Sequence, residues 1–165
     1  ENGTINLDSH HRYETLKDLI EEIGGKVIVF VPLKGVQHDL LTKLRADKYE
    51  VELVNGDVGK TARDQIFSDF QHTDKPQILL AHPRVAAHGL TLTRAADIIW
   101  FAPIYSLESY EQANARIRRL STVGKTNVWH IWATKFEAEL YRRLRRKQNV
   151  LAEFLDLVRG INQDD

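Results

Sequence analysis

The chain has 165 residues, with 23 Lys and Arg against 23 Asp and Glu, so its formal net charge is zero. Hydrophobic residues make up 42% of it and charged residues 28%, a composition typical of one soluble globular domain. The absence of cysteine excludes disulfides, thiolate metal sites and a cysteine nucleophile. The neutral balance excludes a histone-like polycation, and no apolar stretch reaches the roughly 18 residues of a membrane span.

Elements alternate regularly along the chain. Residues 1–11 are polar and predict a linker or a frayed terminus. Helices are predicted over 13–23, 35–44, 61–70, 106–120 and 136–158, the last as one helix or two, and strands over 26–31, 50–54, 77–81, 97–101 and 127–132. Ser106 is the expected N-cap of its helix, residues 55–57 are expected to form a turn, Trp129 and Trp132 are expected to pack on the last strand, and Phe136 is expected to start the apolar seam of the last helix. Five strands separated by helices predict an open three-layer α/β fold, with a parallel sheet covered by helices on both faces. Ligands of such folds lie beyond the carboxyl ends of the strands.

The chain has no methionine and opens with Glu1, so we expect it to be processed or to be a piece of a longer protein. Its charge is unevenly spread, because residues 1–75 hold 14 acidic and 10 basic side chains, and residues 76–165 hold 9 and 13. Ten Lys and Arg fall within residues 116–147, against Glu137 and Glu139. Such a basic zone is typical of a binding site for a phosphate-bearing partner or of a solvated helix face. Charge alone favours the solvated face.

Several motifs of nucleotide and metal chemistry are missing. The loop at 32–35, after the first strand, is neither a P-loop nor a dinucleotide fingerprint. Gly-Lys-Thr occurs at 59–61 and 124–126, but Val54 and Arg119 occupy the positions where a P-loop needs its earlier glycine. No Asp-Glu motif ends a strand, and the seven histidines lack metal-ligand spacing. This chain alone therefore lacks the parts that bind and hydrolyse a triphosphate, and we expect no metal site.

One helical face carries a candidate phosphate site. Gln112, Arg116 and Arg119 are spaced i, i+4 and i+7, which places them on one face of the predicted helix 106–120. Guanidinium groups are permanently charged and bind phosphate oxygens in a bidentate manner. Arg118 is rotated by about 100° from Arg119 and lies off this face. The residues alone are equally compatible with surface ion pairs to neighbouring glutamates.

The loop after the strand 77–81 is a second candidate. Gly89 permits a turn with positive φ or a close approach of backbone to ligand. Thr91 and Thr93 can donate hydroxyl hydrogen bonds to phosphates. An ordinary loop with a turn glycine is the alternative interpretation.

Taken in order, these segments resemble motifs of superfamily-two helicases, most closely those of the Swi/Snf-type translocases. HGLTL at 88–92 and the Gln112, Arg116 and Arg119 segment resemble motifs V and VI, and KVIVFV at 26–31 resembles motif IV. Further similar segments are 55–57 with Arg63 and Phe70, 95–101 and 133–137, so that the resemblance covers about residues 12–158. The His-Pro and His-Gly-Leu sequences are similar to those of bacterial and phage members of this family.

The chain also departs from that pattern. Thr91 stands where the family has Asn, Ala115 stands where it has Gly, and the closing Gly-Gln of motif VI is missing. The glutamine and both arginines are kept, so the departures bear on the backbone contact near Thr91 more than on the phosphate contacts.

The resemblance implies that residues 12–158 form the second RecA-like lobe of a two-lobed motor, followed by a flexible C-terminus at 159–165. An N-terminal lobe outside this chain would be the partner and would hold most of the ATP and Mg²⁺. Arg119 would be the arginine finger, Arg116 its companion on the phosphates and Gln112 a positioning group, with Gly89 also at the nucleotide.

The resemblance also implies a nucleic-acid backbone site at Lys34, Arg84 and Thr91, with DNA as the expected partner. A basic cluster at 142–147 is a weaker candidate for the same role. The expected location is the cytoplasm of a bacterial or phage-infected cell. A non-catalytic α/β interaction module derived from a helicase lobe remains the alternative, and a stand-alone flavodoxin-like or dinucleotide enzyme is disfavoured by the loop at 32–35.

Overall fold

The computed structural model describes residues 9–87, 94–95, 97–118 and 126–161, and the side chains among them except at 9, 86–87, 116–118 and 150–161. The helices are α1 (Ser9–Ile23), α2 (Lys34–Ala46), α3 (Lys60–His72), α4 (Leu107–Arg118) and α5 (Lys135–Ile161). The strands are β1 (Val27–Phe30), β2 (Val51–Val54), β3 (Ile78–Ala81), β4 (Asp97–Trp100) and β5 (Asn127–His130). No helix of this described part is long and apolar enough to cross a membrane.

The five strands form one parallel sheet in the order β2-β3-β1-β4-β5. The central strand β1 pairs with both β3 and β4, so that Val29 lies opposite Leu80 on one side and Ile99 on the other. This arrangement confirms the predicted parallel sheet. It also places the segments that follow the strands along a single carboxyl edge.

Helices cover both faces of the sheet, as predicted. Successive side chains of β1 point to opposite faces, so Val27 and Val29 join one core while Ile28 and Phe30 join the other. The first core includes Leu16 and Ile20 of α1 and Leu40 and Leu44 of α2, and the second includes Phe67 and Phe70 of α3, Tyr110 and Ala113 of α4, and Tyr141 and Leu144 of α5. The predicted burial of the strands at 27–31, 78–80 and 98–100 is confirmed.

Trp100 at the end of β4 fixes α4 on the sheet. Its ring lies between those of Phe30 and Tyr110, with centroids 4.9 and 5.0 Å away. Its indole Nε1 donates a 2.9 Å hydrogen bond to Oδ1 of the buried Asn114 of α4. Because Tyr110, Ala113 and Asn114 face the core, the exposed Gln112 lies on the outer side of the helix.

An ion pair joins the first helix to the last. Arg12 of α1 donates to both carboxylate oxygens of Glu137 at 2.8 and 2.7 Å, and to the carbonyl oxygen of Phe101 at 3.0 Å. Glu137 also accepts from the backbone N–H of Thr134, whose hydroxyl accepts from the N–H of Glu137. This reciprocal capping box begins α5, so one carboxylate both caps α5 and anchors α1.

Three local expectations are wrong. Residues 83–87, expected to be loop, form a 3₁₀ helix whose Val85 is buried. Trp132 was expected to pack and Phe136 to start the apolar seam of α5, but they are 58% and 64% exposed. Trp132 follows β5 and Phe136 lies in the first turn of α5, so both are at the carboxyl edge of the sheet. Trp129, in contrast, is half-buried and its Nε1 donates to Asp97 at 2.9 Å.

Candidate functional site

The carboxyl edge of the sheet collects the segments that follow all five strands. Lys34 begins α2 just after β1, and Arg84 lies in the 3₁₀ helix after β3. The start of α4 follows β4 and the start of α5 follows β5. The structure therefore brings the predicted residues Lys34 and Arg84 to one edge, because parallel strands end on the same side. Gln112 lies in the second turn of α4, the helix that starts at this edge.

Two buried amides fix the backbone of this edge. Gln37 and Asn55 are 0% and 3% exposed, and Asn55 Nδ2 donates to Gln37 Oε1 at 2.9 Å. Gln37 Nε2 in turn donates to the carbonyl oxygen of Val31 at 2.8 Å. Asn55 Oδ1 accepts from the backbone N–H of Asp57 at 3.0 Å. This chain of hydrogen bonds joins the segment after β1 to the segment after β2.

Lys34 is held by the same segment. Its Nζ lies 2.8 Å from Oδ2 and 2.9 Å from Oδ1 of Asp57, and both side chains are exposed. An exposed ion pair of this kind contributes little to stability, about 0–1 kcal/mol, so the ammonium exchanges partners at low cost. Lys34 is thus available to an incoming phosphate, with Asp57 as its partner in the free chain.

His82 connects the segments after β1 and β3. Its Nδ1 accepts a 3.2 Å hydrogen bond from the backbone N–H of Arg84. Burial lowers the pKa of His82, the Arg84 guanidinium lowers it further, and a hydrogen bond to the Pro32 backbone opposes both. The imidazole is therefore neutral at pH 7, which suits its role as an acceptor.

The helix α4 begins as predicted. The Ser106 hydroxyl accepts from the backbone N–H of Ser109 at 3.2 Å, which confirms Ser106 as the N-cap. The exposed Gln112 donates from Nε2 to Oε1 of Glu108 one turn earlier, at 3.0 Å. This amide is consequently oriented along the outer side of α4, and the backbone of Arg116 lies one turn beyond it.

The remaining predicted positions are not placed by the structure. Arg119, Gly89 and Thr91 lie outside the described residues, and so does the side chain of Arg116. Their assignments therefore stay predictions.

Sequence reasoning missed the residues that hold the edge together. Gln37 follows Val36 and lies three residues before Leu40, within the apolar seam of α2, and a polar side chain there is a signal of a buried hydrogen bond. Asn55 and Asp57 were interpreted as a turn. Among the residues that the structure describes, no group of three His, Asp or Glu side chains is placed to hold a metal ion.

Comparison with known proteins identifies the family. The helicase conserved C-terminal domain matches residues 11–121, more than half of the chain. The ATP-dependent RNA helicase DBP2 of Encephalitozoon cuniculi is 34% identical over 144 residues, covering 84% of this chain and 28% of that protein. The ATP-dependent RNA helicase DDX42 of Mus musculus is 28% identical over 139 residues, covering 81% of this chain and 14% of that protein. The chain thus spans less than a third of either relative.

Solved structures share the fold. The C-terminal part of the Fun30 ATPase domain has a TM-score of 0.72 at 19% identity, covering 79% of this chain and 44% of that one. The C-terminal domain of the DEAD-box protein Dbp5 has a TM-score of 0.65 at 20% identity, covering 82% and 77%. The predicted RecA-like helicase fold is confirmed by these likenesses. The chain belongs to the helicase conserved C-terminal domain family of the superfamily-two helicases.

Proposed function

We propose that this chain is the second motor lobe of an ATP-dependent helicase or translocase, and that its carboxyl edge is the face that meets the first lobe. One observation carries the proposal. Four large hydrophobic side chains of the described residues are exposed, and all four lie at this edge: Leu33 after β1 (58%), Tyr105 after β4 (79%), Trp132 after β5 (58%) and Phe136 at the start of α5 (64%).

Exposed apolar groups gathered on one side of a domain mark an interaction surface, whereas isolated ones need no explanation. Here the same side carries Lys34, Arg84 and the start of α4. A first lobe with a P-loop and a magnesium-binding acidic motif, neither of which this chain contains, would be the partner that covers that surface. ATP with Mg²⁺, held mainly by the first lobe, would then lie between the two lobes.

In this arrangement α4 and the residue that follows it supply the catalytic charges. Arg119 acts as the arginine finger on the γ-phosphate and Arg116 binds the phosphates beside it. Gln112, the exposed amide one turn before Arg116, orients this group, and Gly89 allows close approach of backbone to the nucleotide. Phosphoryl transfer requires positioning and neutralisation of charge more than covalent chemistry, so arginines delivered by lobe closure would act as a gate.

The proposed second substrate is a nucleic-acid backbone at Lys34, Arg84 and Thr91. The sequence led us to expect DNA, but the relatives DBP2 and DDX42 are named RNA helicases, and a matching structure of S. cerevisiae Dbp5 holds RNA and ADP BeF3. These relatives favour RNA, and they lend no support to a bacterial or phage origin. ATPase stimulation by a 20-nucleotide polyuridine strand against the matching DNA strand decides between the two.

The catalytic assignment is tested in the complete protein that contains this chain. Arg119→Ala should lower the nucleic-acid-stimulated ATPase rate by roughly 10³–10⁵-fold while ATP binding is largely kept, because an arginine finger acts on transition-state charge. Arg116→Ala should lower the rate and also weaken ATP binding. Arg118→Ala is the matched control, since it lies off the shared helical face.

Steady-state ATPase rates at saturating nucleic acid, together with a fluorescent-nucleotide titration, provide both measurements. If Arg118→Ala is as costly as Arg119→Ala, the assignment of the helical face is wrong. If none of the three variants changes the rate, the chain is instead a non-catalytic interaction module derived from a helicase lobe.

A further inference from the structure

The middle of α5 carries the densest positive charge of the chain. Residues 142–147 read Arg-Arg-Leu-Arg-Arg-Lys, so five of six positions are cationic. Leu144 is buried against the sheet, and the five cations are all exposed. They occupy the outer surface of α5, which we call the α5 basic face, defined as Arg142, Arg143, Arg145, Arg146 and Lys147.

Neighbouring acids neutralise this face only in part. A single carboxylate, Glu139, pairs with Arg142 and Arg143. In the described part of the chain, no carboxylate pairs with Arg145, Arg146 or Lys147. The protein as a whole has no net charge, so this positive field belongs to the helix and not to the molecule.

A structural role does not account for the basic face. Like charges at i and i+4, such as Arg142 with Arg146 and Arg143 with Lys147, destabilise a helix. Cations favour the last turn of a helix, but α5 continues for fourteen residues beyond Lys147, to Ile161. The side chains are therefore placed at some cost to the fold, which is a reason to look for a ligand of opposite charge.

The basic face is separate from the carboxyl edge. The helix α5 begins at that edge with Lys135 and runs away from it, so Arg142 and Lys147 lie about 10 and 18 Å along its axis. Lys34 and Arg84 stay at the edge itself. A ligand on the basic face would thus be an additional contact.

We propose that the α5 basic face binds the phosphate backbone of the nucleic acid on which the motor acts, as a second contact outside the inter-lobe cleft; this rests on the proposed function. Its axial length of about 7.5 Å from Arg142 to Lys147 matches two or three successive phosphates of one strand. Guanidinium groups bind such oxygens in a bidentate manner. The contact gives affinity without base specificity and is weakened by salt.

The test compares two variants that each lose three positive charges. Arg145→Gln/Arg146→Gln/Lys147→Gln alters the basic face, and Lys43→Gln/Arg45→Gln/Lys48→Gln alters exposed positions at the end of α2 and in the turn after it, as a control of equal charge change. Binding of this 165-residue chain to a fluorescein-labelled 20-nucleotide polyuridine strand is followed by anisotropy at several salt concentrations. Wild-type binding should lie in the non-specific range of roughly 10⁻⁴–10⁻⁶ M.

For the basic-face variant we expect binding weaker by about tenfold at 50 mM salt, and a slope of log Kobs against log salt that is smaller by about 0.7–1.4, because one or two of the two or three phosphate contacts are lost. The melting temperature should be unchanged or higher. Arg145→Lys/Arg146→Lys keeps the charge and should keep both binding and slope, which separates loss of charge from loss of packing.

Equal effects of the two triple variants would overturn the proposal, because binding would then depend on the total positive charge of the chain and not on the basic face. An unchanged affinity and slope in the basic-face variant would overturn it as well. A Lys34→Gln/Arg84→Gln variant is measured in parallel to keep the two proposals apart. If only that variant loses binding, the basic face is wrong and the motor-lobe function stands.

Discussion

The two buried amides at the carboxyl edge have a clear energetic consequence. Asn55→Ala removes the donor to Gln37 Oε1 and the acceptor of the Asp57 N–H. A buried polar group left without a partner costs about 1–3 kcal/mol, so we predict a loss of that size in the free energy of unfolding. Urea denaturation followed by circular dichroism measures it.

The control for this prediction is Asn127→Ala, because Asn127 bonds Asp97 from an exposed position on the edge strand β5. That change should cost no more than about 0.5 kcal/mol. A similar loss of unfolding free energy in both variants would mean that the burial of Asn55 does not determine the cost of removing its hydrogen bonds.

His82 makes the stability of the chain depend on pH. The pKa of this imidazole is lowered in the folded chain by burial first and by Arg84 second. Below about pH 6.5 the unfolded chain takes up a proton at this position while the folded chain resists it, so stability falls as the pH falls from about 6.5 towards the folded pKa. In His82→Gln this contribution is absent.

We therefore predict that the melting temperature declines less between pH 7.5 and 5 in His82→Gln than in the wild type. His38→Gln, at an exposed position of α2, should keep the wild-type dependence. A proton NMR titration of the His82 ring gives the direction of the pKa shift directly. A wild-type decline retained in His82→Gln would contradict this account.

At the scale of elements, the start of α5 depends on Glu137. This carboxylate caps the helix and forms a partly buried ion pair with Arg12 of α1. Glu137→Ala should lower the free energy of unfolding by about 3 kcal/mol, because it leaves the Arg12 guanidinium without its charged partner. Chemical denaturation of the variant is the measurement.

Glu139→Ala, two residues further on, is the comparison. Glu139 pairs with Arg142 and Arg143 at the surface, where a salt bridge contributes less than about 1 kcal/mol. Losses of equal size at positions 137 and 139 would show that the contact between α1 and α5 is not what stabilises this end of the helix.

The same elements explain how far the sequence could be interpreted. The strand at 26–31 was predictable because the unbroken apolar run 27–31 suits a strand buried on both faces. Contacts between side chains that are distant in the sequence were not predictable. The contact of Arg12 with Glu137 joins positions 125 residues apart, and nothing in the pattern around either residue specifies the other.

The candidate site also has features that the sequence predicts and features that it does not. Helical periodicity predicts one face for Gln112, Arg116 and Arg119, and of these the structure describes the side chain of Gln112, on the outer side of α4. The exposure of Trp132 and Phe136 was mispredicted, because hydrophobicity alone does not distinguish a core residue from one at an interface. Such residues are recognised only when the folded surface is seen.

For the whole molecule, the arrangement separates stability from function. The two cores and the capped helices hold the sheet, while the exposed aromatic groups at the carboxyl edge add little to the fold of this chain. Tyr105 and Trp132 follow different strands, β4 and β5, and are 79% and 58% exposed. Their roles can therefore be tested without unfolding the domain.

We predict that Tyr105→Ser/Trp132→Ser leaves the melting temperature of this chain nearly unchanged, because each side chain already faces water. In the complete protein the same pair should lower the nucleic-acid-stimulated ATPase rate, since under the proposed function closure of the lobes would bury this edge. Tyr49→Ser, at a half-buried position packed on the core beside α1, should instead lower the melting temperature. A normal ATPase rate in the double variant would show that the lobes meet elsewhere.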